Sequence, residues 1–164
     1  GYILAQIIGA IMGSILVWLT YLPHWKETSD QSAKLAAFST APAIRDKPKN
    51  LIAEIIGTFV LVLGVLTILR PENLVPGSGF DRGFGPLLVG LLVLSICLSL
   101  GGPTGYAINP ARDLGPRIAH AILPIHGKGD SDWSYAWVPI VGPVIGGAIA
   151  AFVFKWLWTI TPTP

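Results

Sequence analysis

Residues 101–123 read GGPTGYAINPARDLGPRIAHAIL, and this stretch decides the fold. It follows an apolar run that is already long enough to cross a bilayer. It opens with a Gly and Pro cluster that cannot continue a helix, then offers Asn109 as a cap and Pro110 as a first helical residue. A helix from Pro110 to Leu123 would be about 20 Å long at roughly 1.5 Å per residue, too short to span and too apolar to lie in water. The expectation is a re-entrant segment over about 102–123: extended backbone dips into the membrane and a half-helix climbs back out. Irregular backbone at that depth is tolerated only inside protein or beside a wet cavity, because each unsatisfied peptide group in lipid costs several kcal/mol. The stretch therefore implies an aqueous path.

Its surroundings agree. Of 164 residues 52% are hydrophobic and only 12% charged, where a soluble domain carries about 25% charged residues. Apolar segments near 1–22, 50–69, 84–101 and 136–160 are each long enough to cross a hydrocarbon core of about 30 Å. The fold class expected is an all-α membrane protein. The first span ends near Trp18, Tyr21 and Trp25, and the last near Trp156 and Trp158, residues suited to the membrane interface. Residues 23–49 read as a solvent-facing loop in which Leu35 to Phe38 form a short surface turn, and 70–83 as a turn-rich connector. Gly1 opens an apolar run at once, with no basic flank or cleavage site, so no signal peptide is read and the chain looks cut from something longer.

Several function classes fall away. A net charge of +2 is too balanced to imply a nucleic-acid partner. Cys97, the one cysteine, excludes an internal disulfide. His24, His120 and His126 lack paired metal spacing and read as solvated or capping residues. No Ser-His-Asp grouping, phosphate loop or cofactor motif occurs, so neither an enzyme nor a bound metal or cofactor is expected.

A half-helix that starts inside the membrane aims free amides and the positive end of its dipole at the cavity, which repels cations. Asn109 adds side-chain donors there. Arg112 adds a fixed charge about one turn on, and the carbonyls of Gly101 to Ala107 supply acceptors. Donors opposite acceptors suit hydroxyls and water rather than ions. Asn-Pro alone starts many ordinary helices; an arginine at such depth is what raises the pair above a cap.

Asn109-Pro110-Ala111-Arg112-Asp113, preceded by Gly102-Pro103-Thr104-Gly105-Tyr106-Ala107, resembles the second signature loop of the major intrinsic proteins, the aquaporins and glycerol facilitators. The resemblance covers the chain. Residues 1–22, with Gln6 and Gly9, look like the family's third span, 50–69 with Glu54 like the fourth, and 84–101 like the fifth. The last segment, with Gly142, Pro143, Gly146 and Gly147, looks like the sixth. It implies a partial aquaporin-like channel domain over 1–164, without the first two spans and the first Asn-Pro-Ala loop. It also implies a multi-pass protein of the cell membrane and a homotetramer with one pore per subunit.

The resemblance further implies site residues. Asn109, Pro110 and Ala111 form the pore motif. Arg112, Tyr106 and Cys97 form the selectivity filter, with backbone carbonyls of Gly102, Thr104, Gly105 and Tyr106 as acceptors. Cys97 falls where water-selective members have a histidine and glycerol facilitators a small residue. Tyr106 replaces the facilitators' commoner Phe. Asp113 is the facilitators' choice after the arginine; its plainer role is an acid in a first helical turn. The expected cargo is glycerol or a similar small polyol together with water, and the alternatives are a water-selective channel or a facilitator for lactic acid, dihydroxyacetone or urea.

Glu54 lies within an apolar run, where an ionised carboxylate is costly unless hydrogen-bonded. By resemblance it is a structural acid that holds a re-entrant loop; a proton relay is the alternative. Gly9-x-x-x-Gly13 and Gly142-x-x-x-Gly146 read as helix-packing pairs. The family orientation places Gly1 and the C-terminus in the cytoplasm. Lys26, Lys34, Arg45, Lys47 and Lys49 are then outside and only Arg70 and Arg82 inside, the reverse of the usual bias.

Overall fold

Runs of Leu, Ile, Val and small residues, almost free of charge, can satisfy their backbone in lipid only as helices. In the computed structural model they form α1 (Tyr2–Thr20), α4 (Lys47–Ile68), α5 (Phe84–Thr104) and α7 (Val138–Ile160). These four are long and apolar enough to cross a membrane. The structure describes residues 1–77, 79 and 83–160, so Arg82 lies outside the described residues. Between the long helices stand α2 (His24–Glu27), α3 (Gln31–Ala36) and α6 (Pro110–Ile122). All regular structure among the described residues is helical.

Helix α4 is the hub, packed against both α5 and α7, while α6 lies against α1 and α7. The closest crossing is α4 on α7. Gly142 sits on the Glu54 side chain and the Leu51 carbonyl, and a side chain on Gly146 would collide with the Ile55 carbonyl oxygen. Small residues four apart thus let two backbones touch. Gly146→Ala is expected to force the pair apart at a cost of about 1–3 kcal/mol, read as a lower unfolding midpoint in detergent. An unchanged midpoint would mean that the crossing is looser than drawn. At Gly9 and Gly13 an added Cβ would meet nothing within 4 Å in this chain. Many apolar side chains of the long helices are exposed on this chain; Leu98 is 78% exposed and Phe152 72%.

Two sequence expectations are corrected here. The loop 23–49 is largely exposed, as expected, but it carries two short helices and a small buried core rather than a surface turn alone. Trp25 and Phe38 are buried with Ala119 of α6 and Ile125, and Leu35 is buried too. The 3.6-residue spacing of Trp25, Leu35 and Phe38 is broken between short helices, so no periodic signal announces this core. Helix α5 also runs on through Gly101, Gly102 and Pro103 to Thr104, where a break at 101 was expected. Pro103 has no N–H to give the Ser99 carbonyl, a loss that membrane helices tolerate; its own carbonyl, one of the last of the helix, accepts from Ala43 N–H at 3.1 Å.

Candidate conduction site

The irregular stretch shrinks to Gly105–Ile108 between α5 and α6. Gly105 ends α5 with φ +77°, and its N–H closes on the Gly101 carbonyl at 2.8 Å. That left-handed cap suits a glycine. Tyr106 (φ +42°) and Ile108 (φ +43°) adopt the same region without being glycine. Such conformations cost of order 1–3 kcal/mol each and persist only where the surroundings impose them.

Glu54 imposes them. Its carboxylate, 1% exposed, accepts from Thr104 Oγ1 at 2.6 Å, Ala107 N at 3.0 Å and Ile108 N at 2.8 Å. Charge-assisted bonds to three donors satisfy a buried anion that has no cation beside it. Gly57, one turn further along α4, leaves room for the Ile108 side chain.

The half-helix then starts on its cap. Asn109 is extended, and its Oδ1 accepts from Ala111 N at 2.9 Å and Arg112 N at 3.4 Å, with Pro110 as the first helical residue. This leaves the Asn109 amide nitrogen to face outward, where one N–H donates to Gln6 Oε1 at 3.3 Å. The far end is capped as well. Lys128 Nζ donates to the carbonyls of His120, Ala121 and Leu123, which offsets the negative end of the dipole. Burial pushes the Lys128 ammonium below its usual range.

Tyr106, Asn109 and Arg112 line one groove of about 210 Å³ together with apolar Leu61, Val93 and Ile108. The Arg112 guanidinium stands 5.7 Å from the Tyr106 ring centre, and the Tyr106 phenol meets the Cys97 thiol. The ring also packs on Gly101. No acid pairs with Arg112 among the described residues. Cys97 itself is half-buried and does not line the groove. Pro110 and Ala111 line a separate, mainly apolar cavity of about 300 Å³ with Gln6 and Asn109. Gly102 and Thr104 lie in the last turn of α5, so their carbonyls follow the helix axis rather than an extended strand, and Thr104 spends its hydroxyl on Glu54.

Asp113 is more than a first-turn acid. Fully buried, it accepts from Thr40 N at 2.8 Å, Thr40 Oγ1 at 2.6 Å, Arg117 Nε at 2.8 Å and Arg117 Nη2 at 3.0 Å. Arg117 sends its remaining donors to the carbonyls of Ser131, Asp132 and Thr40. Sequence reasoning missed Arg117 and Thr40. A second arginine four residues after Asp113 was the available signal, since i, i+4 pairs meet on a helix. His120 is likewise not solvated but fully buried, with Nδ1 at 2.8 Å from Ser131 Oγ and its ring against Phe38. Beside this cluster Tyr135 is buried under Arg45, and burial with two nearby carboxylates, Glu54 and Asp113, pushes its phenol far above the usual range.

This wall of donors, Arg112 among them, faces apolar side chains on a re-entrant loop, and the chain that carries it is similar to known proteins. The family model described as "Major intrinsic protein" matches residues 1–154. A probable glycerol uptake facilitator protein of Thermotoga maritima is 63% identical over 158 residues, covering 96% of this chain and 64% of its own. The glycerol uptake facilitator protein of Bacillus subtilis is 57% identical over 154 residues, covering 94% and 54%. A D/L-lactic acid transporter of Lactiplantibacillus plantarum is 46% identical over 155 residues, covering 92% and 62%. Among solved structures, the aquaglyceroporin from Plasmodium falciparum superposes with a TM-score of 0.78 at 28% identity, over 97% of this chain and 64% of that one. The chain thus spans between about half and two-thirds of the length of these relatives. With its re-entrant half-helix, four membrane-length helices and a family match over nearly its whole length, the chain belongs to the major intrinsic protein family.

Proposed function

We propose that the gene product containing this chain is a passive channel for glycerol and similar small neutral solutes, and for water, and that it excludes ions and protons. The observation that carries this is the two-faced groove. Tyr106, Asn109 and Arg112 offer donors, while Leu61, Val93 and Ile108 offer hydrocarbon. A polyol has the matching character, hydroxyls along one edge and carbon along the other. Asn109 has one amide N–H engaged by Gln6 and one left for a passing hydroxyl. Arg112, which no carboxylate pairs among the described residues, sets an electrostatic barrier against cations. The filter comprises Arg112, Tyr106 and Cys97, with Gly105 and Tyr106 as carbonyl acceptors. A thiol at Cys97 leaves the constriction wider than an imidazole would.

The supporting relatives are named for glycerol uptake, and they are longer than this chain. In this reading the remaining length supplies two further spans and a second Asn-Pro-Ala half-helix, and four copies assemble in the cell membrane, each with its own pore. Transport proceeds by diffusion, with no catalytic step. Lactic acid in its neutral form is the second reading, favoured by the relative of that name.

The test is stopped-flow light scattering on proteoliposomes of the full-length gene product, comparing glycerol with an impermeant osmolyte. Fast glycerol re-swelling is expected in the wild type. Cys97→His is expected to lower it about tenfold, the effect of roughly 1.4 kcal/mol at the constriction, while water flow persists. Fast water flow without glycerol entry in the wild type would establish the water-selective alternative. Entry of lactic acid that grows at acid pH, with glycerol excluded, would favour the second reading.

A further inference from the structure

Thr40 lies in a stretch that looks, by sequence, like an external connector, yet it touches both ends of the segment carrying the groove's polar residues. At the near end its side chain packs on Gly105, where a Cβ would stand 3.4 Å from Thr40 Cβ and Cγ2. At the far end its N–H and hydroxyl both donate to Asp113, the residue after Arg112. Its carbonyl accepts from Arg117, which in turn holds Ser131 and Asp132. Thr40 is 5% exposed and every polar group it has is engaged.

We propose that Thr40 is a positioning residue for permeation: it fixes the spacing between Gly105 and Asp113, and so sets where Tyr106 and Arg112 face each other across the groove. The inference rests on the channel reading above. It follows from geometry. Glu54 holds the middle of the segment, at Ala107 and Ile108, but contacts neither Tyr106 nor Arg112. Both side chains stand next to the ends that Thr40 brackets, and Tyr106 is backed further by Gly101. The Thr40 hydroxyl is the one bond of this bracket that can be removed without changing the backbone.

The experiment compares wild type, Thr40→Val and Thr40→Ser in proteoliposomes of the full-length gene product, with flux normalised to inserted protein. Valine keeps the shape and loses the hydroxyl; serine keeps the hydroxyl. The glycerol-to-erythritol permeability ratio is expected to fall about threefold in Thr40→Val, the scale set by one hydrogen bond, and to stay near wild type in Thr40→Ser. Amide hydrogen exchange over 105–113 is expected to quicken in the valine variant alone. A valine variant with wild-type ratio overturns the proposal, whatever its stability, since a purely structural bond would change the amount of folded channel and not its selectivity. If the wild type passes no polyol, the channel reading fails on its own terms, and the exchange comparison decides the bracket: equal exchange in valine and serine variants overturns it.

Discussion

Replacing Glu54 with alanine is expected to leave little folded protein to assay. Three donors converge on this carboxylate inside α4. Thr104 can turn its hydroxyl to a carbonyl of its own helix, as helical threonines do. The amides of Ala107 and Ile108 have no such recourse, and stranding two buried donors costs roughly 2–6 kcal/mol, against a typical total stability of about 5–15 kcal/mol. A further release follows, because Ile108 at φ +43° has no reason to stay in the left-handed region once its N–H is unpaired. Glu54→Gln separates charge from shape. Its one oxygen serves some of the donors and its NH2 faces another, so an intermediate loss of about 1–3 kcal/mol is expected. The measurement is the thermal unfolding midpoint of purified protein in detergent, with glycerol flux on whatever survives. An alanine variant that unfolds at the wild-type temperature and conducts normally would show that the re-entrant backbone does not depend on Glu54. A glutamine variant that behaves like alanine would show that the negative charge matters more than the geometry.

The local parts of this architecture could be read from the sequence. The four long helices are set by apolar length and the start of α6 by Asn109-Pro110, both properties of neighbouring residues. What could not be read is what closes at long range. Asp113 bonds Thr40 across 73 positions and Arg117 reaches Thr40 across 77, and no periodicity links such partners. The polar look of 23–49 hid its small buried core for a related reason. Arg45 is paired with Asp132, Lys49 with Asp46, and buried Lys34 donates to the His126 carbonyl. Only Lys34 among them is buried; Arg45 and Lys49 stay exposed in their pairs, so the charges that weigh against the family orientation remain largely at the surface. The extension of α5 past Gly101 escaped because Gly-Gly-Pro breaks helices in water, whereas in a membrane the neighbouring loop supplies the partner that water would have been. Within the groove, the sequence indicated Tyr106, Asn109 and Arg112, which the fold does place together; the clamp behind them needed the tertiary structure.

The same clamp yields the second large effect. Arg117→Leu is expected to destabilise the protein by about 3–5 kcal/mol, because Asp113 is then a fully buried anion whose only remaining partner is Thr40. The loss is wider than one ion pair. The carbonyls of Thr40, Ser131 and Asp132 lose their donors at once, and the two outer segments come away from α6 together. Arg117→Lys retains charge but has no planar fork, so it can satisfy the carboxylate or the carbonyls and not all of them; an intermediate loss is expected. The double variant Asp113→Leu/Arg117→Leu removes the stranded charge and should recover part of the stability of Arg117→Leu, though not all, since Thr40 N–H is then unpaired. Thermal unfolding of the four proteins gives the coupling energy directly. If the double variant is less stable than Arg117→Leu by the full effect of Asp113→Leu alone, the two side chains are not coupled and the clamp is not a unit. If it is more stable, the cost of the single variant is that of an orphaned carboxylate. The arginine then serves chiefly to let a buried acid reach Thr40, one residue away from the Arg112 that faces the groove.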